Sequence, residues 1–582
     1  MNTSFLTKIG QWLDRYLLLV LASALIAFVP LMPKIPLFSL IEEYIVRVRS
    51  EDFLILLAGV VWVIQWLRGK VTWRTPFFWA VVAYAVVGAL SVLSGMFITQ
   101  TVVLQPKHVG KTLLHYFRYL EYFSLFFILS SAIKTKKDVY IAISIFVATL
   151  IGISAYGVGQ KYLYWPVYST MNREFSKGVR LYLTEHARVQ STFGGHYDLA
   201  AYLVLSLPVV LTLAFMIKPP ALKVGLFAAH FFGLWLMIVS AARTSFAAYL
   251  IAVSLALLLI ALVREETWLK KFWWAASRWF VVMGITGVMM LSFGNDMYER
   301  FLQVLEGYPK LHDTYHTMNG EVKWLVQYYI PETLGLKEVS IKVEKPEGGE
   351  AVDEFGVIVP SDTQPTTKRP SDVYEDIPDV VYEATTSADG TITWEKKEVP
   401  RQFSENAERY GLSLAIRLDT LWPQAIQGFK RNPLLGSGYA TLNQDAKQTF
   451  MIADSTDNNF LRTLGETGLL GFITFYGIIG MALYFSVRAL KDDDILLQAL
   501  SIGYIAASVG LLLNAVYIDV YAASKVAQSY WSVTGLIMGY YFLLHPREAQ
   551  LSPEAPAAQV AKTSPTKLAV TRTKTRAKKK RS

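Results

Sequence analysis

Two arginines stand where their type and surroundings permit phosphate chemistry. Arg243 lies between an apolar run ending Leu236-Met237-Ile238-Val239 and another beginning Phe246-Ala247-Ala248. A guanidinium at such a membrane edge is costly unless it meets an anion or snorkels to water. Arg417 lies in a stretch where Leu414, Leu418, Leu421, Ala425 and Phe429 recur at spacings of three or four, the period of a helix with one apolar face. Two arginines on one side of a membrane suit a diphosphate, because each planar fork binds phosphate oxygens bidentately without losing its charge. Each also has a plainer reading: an interfacial anchor for Arg243, a surface ion pair for Arg417. Asp457 precedes Asn458-Asn459-Phe460-Leu461 and reads as the N-cap of a Leu-rich helix. Arg188, His196 and Asp198 border a further polar loop, where structural roles compete with contacts to a ligand.

The elements that must position these residues follow from turn signals and composition. Asn432, Pro433, Gly436 and Gly438 end the Arg417 helix, since Pro cannot continue it and Gly supplies left-handed backbone; a second helix starts near Asp457. The chain has 582 residues, 53% of them hydrophobic and 14% aromatic, with a mean hydropathy of +0.33. That is too apolar for a soluble chain of this size and reads as an all-α polytopic membrane protein.

Composition also excludes several chemistries. With no cysteine, disulfides, iron–sulfur clusters and thiolate zinc sites are ruled out. Eight histidines remain, of which His312 and His316 are spaced i, i+4 around Asp313; with no third ligand evident they read as part of a loop helix, and no metal or cofactor is expected. Gly110-Lys111-Thr112 fails as a phosphate loop because Gln105 stands where its first glycine belongs. Neither a His-Glu-x-x-His nor a Gly-x-Ser-x-Gly motif occurs. The net charge is +10, yet ten basic residues lie after His545 in a tail ending RTKTRAKKKRS. In a membrane protein such a tail marks the cytoplasmic side and touches anionic lipid, so no nucleic-acid partner is expected.

Apolar runs of about 17 to 25 residues predict about twelve spans, near 16–33, 52–67, 76–98, 112–132, 139–160, 197–217, 222–240, 245–263, 273–293, 461–487, 495–515 and 526–544. Residues 1–293 thus form a membrane domain of about nine spans, 294–460 a large loop, 461–545 the last three spans and 546–582 a basic tail. Lys and Arg cluster on alternate connections, on the side of the tail, which places both termini in the cytoplasm. The large loop, Arg243 and the loop 161–196 then share the outer side. Within the large loop, 338–398 carries 15 acidic and 6 basic residues, five prolines and alternating runs such as Val339–Val343, the composition of a mobile insertion with room for a small hairpin.

Five motifs in order resemble the O-antigen ligase and polymerase family of membrane glycosyltransferases. They are Ser191 to Ala200, Ser240-Ala241-Ala242-Arg243-Thr244-Ser245, Arg417 to Trp422, Asn432 to Tyr439, and Asp457-Asn458-Asn459-Phe460-Leu461 followed by Gly465 to Phe472. The resemblance spans roughly residues 188 to 490 and implies a GT-C-like helical membrane fold. It implies transfer of a glycan from undecaprenyl diphosphate to an acceptor hydroxyl, on a glycan or glycolipid, at the extracytoplasmic face of the cytoplasmic membrane. Arg243 and Arg417 fall where the family's essential arginines do. Asp457 falls where many members have histidine, which implies a general base whose pKa burial must raise. Arg188, His196, Asn458 and Arg431 become candidate substrate-binding residues. A repeat-unit polymerase of the same family shares this chemistry. A transporter or flippase of lipid-linked glycans is the competing class; it would carry charge at mid-membrane depth, where Arg118 and Glu121 are the main candidates and their i, i+3 spacing allows mutual pairing.

Overall fold

The computed structural model describes residues 10–41, 44–71, 75–171, 175–183, 187–295, 297, 350–352, 358–359, 379–386, 392–399, 406, 412–442 and 455–549. It is mostly helical. Nine long helices occupy the first half: α1 (Gly10–Leu31), α2 (Ser50–Leu67), α3 (Pro76–Phe97), α4 (Pro106–Ala132), α5 (Lys136–Tyr162), α6 (His196–Met216), α7 (Pro220–Val239), α8 (Arg243–Val263) and α9 (Trp268–Phe293). Beyond the large loop come Leu412–Ile416, a π-helical turn Arg417–Leu421 and Trp422–Arg431, together called α10, then α11 (Asn459–Ala489), α12 (Ile495–Asn514) and α13 (Ser524–Leu544).

Among the described residues ten helices are long and apolar enough to cross a membrane: all of those named except α4, α10 and α13. The expected spans at 112–132 and 526–544 correspond to α4 and α13; α4 is less apolar because it carries Lys107, Lys111, Arg118 and Glu121, and α13 because it is polar and enclosed by protein. These two pack against each other, and every residue of α13 from Lys525 to Phe542 is buried. A helix surrounded by protein keeps its tyrosines, serines and charges satisfied without facing lipid. α6 and α12, packed together, form the rest of the centre, whereas α2 and α9 show lipid-type residues such as Leu56, Trp273 and Phe280 outward.

Short strands complete the described chain. β1 (Leu181–Leu183) pairs in parallel with β2 (Glu350–Val352), which pairs antiparallel with β3 (Ile358–Val359). β4 (Asp379–Thr386) and β5 (Ile392–Val399) form an antiparallel hairpin from Asp379↔Val399 to Thr386↔Ile392. The hairpin expected in the acidic insertion is therefore present, while the run Val339–Val343 and the pair His312 and His316 lie outside the described residues.

The glycine-rich motifs have a specific mechanical job. The turn after α10 docks edge to edge on a break in α11 through four backbone hydrogen bonds: Ser437 N to Gly465 O (2.8 Å), Gly438 N to Glu466 O (2.9 Å), Leu469 N to Pro433 O (2.8 Å) and Leu470 N to Leu434 O (3.2 Å). The break is at Gly468, whose φ of 66° and ψ of −167° only glycine adopts without strain. A Cβ there would lie 2.4 Å from Leu434 backbone, and one on Gly436 2.4 Å from Glu466 backbone. Small residues on α3 receive the docked pair: Ser91 Oγ donates to Glu466 O (2.8 Å), Asn432 Nδ2 donates to Ser94 Oγ (3.0 Å), and Gly95 faces Ser437 O.

Gly468→Ala should therefore lower the thermal midpoint of the detergent-solubilised protein, by the equivalent of about 1–3 kcal/mol for the forbidden backbone angle alone. Gly477→Ala and Gly480→Ala on the same helix, with nothing within 4 Å of the added Cβ, should leave it unchanged. Equal midpoints for all three variants would contradict the docking.

Candidate functional site

Asp457 and Arg417 form an ion pair of 2.8 Å. Arg417 comes from the π-helical turn of α10, and its guanidinium also lies over the Tyr517 ring at 5.9 Å and donates to Tyr517 O at 3.4 Å. Trp422 meets the same ring edge-on at 6.2 Å. Asp457 ends the loop before α11 at a φ of 50°, a conformation that aspartate and asparagine tolerate better than most residues. The Arg417 side chain is 12% and the Asp457 side chain 34% exposed, so the arginine is buried behind a carboxylate that solvent reaches. Burial, then the nearby Asp519 carboxylate, raise the Asp457 pKa above the ordinary aspartate value, while Arg417 and the Ser455 hydroxyl pull it back.

What holds Asp457 in place is Asp519, in the connection between α12 and α13. Its Oδ2 accepts from Thr456 N (2.9 Å), Arg462 Nη1 (2.9 Å) and Ser455 Oγ (3.2 Å), and its Oδ1 from Asn458 N (3.1 Å). Arg462 reaches on to Glu466 one turn later (3.3 Å), and Glu466 Oε1 accepts from Ala440 N (3.0 Å). One buried chain of charges therefore links the Asp457 turn, the break in α11 and the glycine-rich turn. Asn459, fully buried, adds a second tie: its N donates to Ala515 O (2.8 Å) and its Oδ1 accepts from Tyr521 N (3.1 Å).

The expectation that Asp457 caps α11 needs correction by one position. Asn458 is the N-cap, its Oδ1 accepting from Leu461 N at 3.0 Å. Asn458, a candidate substrate-binding residue, thus serves as the cap, and Asp457 Oδ2 meets Arg417. Arg431 is exposed in the last turn of α10, where its charge complements the helix's negative end; it makes no hydrogen bond or ion pair among the described residues.

Arg188 and His196 do meet, Arg188 Nη1 lying 2.6 Å from His196 Nε2, with Tyr197 OH at 3.4 Å. Their segment joins the site from two sides. Val189 N donates to Val239 O (3.3 Å), beside the Ser240 turn, and Lys525 Nζ donates to Thr192 O (2.8 Å), six residues beyond Asp519. Arg243 opens α8 with an exposed side chain, and Ser245 exchanges hydrogen bonds with Asn514 at the end of α12 (3.2 and 3.0 Å). The first turn of α8, which carries Arg243, is thus tied to the end of α12, while Arg417 and Asp457 touch directly.

Sequence reasoning missed the roles of Asp519, Arg462, Asn459, Tyr517 and Glu466. The signal for Arg462 and Glu466 was their i, i+4 spacing inside an apolar run. Asp519 stands alone in a short apolar connection and gave none. Six non-glycine residues have positive φ among the described residues: Gln100, Tyr164, Ser191, Ala241, Ala440 and Asp457. Four of these lie in or beside the motifs, the concentration of backbone strain found at functional sites.

Compared with known proteins, the chain matches no family model and no curated protein sequence, so the likeness to O-antigen ligases rests on the motif residues alone.

Proposed function

We propose that this chain is an O-antigen ligase-like glycosyltransferase, moving a glycan from a polyprenyl-diphosphate carrier to an acceptor hydroxyl outside the cytoplasm. The observation that carries the reading is the half-buried Arg417–Asp457 pair, with the backbone on either side of Asp457 held by Asp519. Arg417, with Arg243, binds the diphosphate and stabilises the charge that grows on it as the glycosyl bond breaks. Diphosphate binding draws the guanidinium from Asp457, which then takes the proton from the acceptor hydroxyl. The hydroxyl oxygen bonds to the anomeric carbon with inversion, and the electron pair of the broken bond leaves with the polyprenyl diphosphate. The topology that goes with this reading is twelve crossings, both termini cytoplasmic and Asp457 outside.

Three outcomes test it. Asp457→Asn keeps a residue that tolerates positive φ, so the variant should insert and fold normally yet transfer glycan about 10²–10⁴-fold more slowly in membranes supplied with lipid-linked donor; near-normal transfer removes Asp457 as the base. Because the base acts only when ionised, transfer should fall as pH drops through its raised pKa, with the acid limb of the rate profile above 3.8, the ordinary aspartate value. A limb at or below that value contradicts the assignment. Cysteines placed at Ser361 and Ser564 should react with an impermeant reagent in intact cells at the first position only, and labelling at the second would reverse the sidedness.

A further inference from the structure

The connection between α8 and α9, away from the Asp457 pair, gathers positive charge at one aromatic ring. Arg264 Cζ lies over the Trp274 ring at 4.9 Å, and Arg278 Cζ over the same ring at 5.3 Å. Either contact alone is a favourable cation–π pair, but two guanidiniums brought to one indole repel each other. Arg264 has a carboxylate, Glu266 at 2.6 Å. Arg278 donates to the neighbouring Ser277 hydroxyl at 2.8 Å and pairs with no carboxylate among the described residues.

The surroundings do not offset this surplus. α9 packs against α7 and α8, and Phe215 near the end of α6 meets Trp274 edge-on at 5.8 Å, so the connections around the ring are 217–223 and 264–278. Besides the two arginines they hold Lys218, Lys223, Lys270 and Lys271, against Glu265 and Glu266 alone. The adjoining face of α9 is apolar and outward: Trp268, Phe272, Trp273 and Phe280 are each exposed by half or more, and only Val282 and Thr286 of the whole helix are buried. Tryptophans so placed mark the headgroup level of a bilayer. Surplus cations at that level call for phosphate, and the apolar face beside them calls for hydrocarbon chains.

We infer that this corner binds an anionic phospholipid: its phosphate sits between Arg264 and Arg278, and its chains lie along the outward face of α9. Each planar fork can offer parallel N–H groups to phosphate oxygens, and basic pockets between helices at one membrane surface hold acidic headgroups in this way. A zwitterionic lipid would bring a cation of its own to a cluster that already has too many. In the topology proposed above, the site opens to the cytoplasmic leaflet. The inference needs only a membrane location and does not depend on the glycosyltransferase reading.

The test is native mass spectrometry of the full-length, delipidated protein titrated with phosphatidylglycerol, phosphatidylethanolamine or phosphatidylcholine of identical chains. Phosphatidylglycerol should be retained roughly tenfold better than the other two, the scale of one charge-assisted hydrogen bond. Arg278→Gln changes an exposed side chain and should remove most of that preference; Arg264→Gln, also outside the core, gives a second arm with the same expected result. Lys491→Gln removes one exposed positive charge from a different connection and should leave the preference intact. Equal retention of the three lipids would overturn the assignment. So would a preference that survives both arginine variants, which would hand it to the basic tail, or an equal loss in Lys491→Gln, which would make it an effect of net charge. Displacement of phosphatidylglycerol by inorganic phosphate at equal concentration would show a site for soluble anions and overturn it as well.

Discussion

The arrangement of the site depends on one buried carboxylate. Asp519 takes two backbone amides, a hydroxyl and a guanidinium, the set a carboxylate needs before it can remain charged away from water. Because the donors come from the turn at Thr456 and Asn458 and from α11, the position of Asp457 between them is over-determined. Arg462 in turn makes Glu466 affordable, and Glu466 holds Ala440 in a strained conformation. Removing one member of such a buried pair leaves its partner charged and unpaired, at a cost of about 3–5 kcal/mol. The network is therefore an all-or-none device in which the turn, the helix break and the connection form together.

The second constraint is backbone contact. The turn after α10 and the break in α11 approach closely enough that each needs glycine where it faces the other. Carbonyl and amide groups freed by ending one helix and breaking another are paired with each other, as burial demands. Two motifs that look independent along the chain are thus two halves of one contact, and the Arg417–Asp457 pair sits beside it because α10 leads into the turn and Asp457 leads into α11.

Much of this was legible in the sequence. Helix positions followed from apolar runs because lipid and protein core both demand apolar side chains. The end of α10 at Asn432 followed from proline and glycine. Arg417 and Asp457 stood out because charged residues beside apolar runs need a reason. The cap was misplaced by one because Asp457, Asn458 and Asn459 can all cap a helix, and only the fold decides that Asn459 ties to Ala515 and Asp457 to Arg417. Asp519 was invisible for a different reason: its role is set by partners about 60 residues away, and no local spacing records them.

In the proposed transfer, Asp519 acts by fixing the turn that carries Asp457. Amide hydrogen exchange and glycan transfer, measured on one preparation of Asp519→Ala, test it directly. The amides of Thr456 and Asn458 should lose roughly tenfold or more of their protection while those of α6 and α12 keep theirs, and transfer should fall in the same sample. Loss of protection at both amides with transfer at the wild-type rate would show that the reaction does not depend on this turn, and the account would fail.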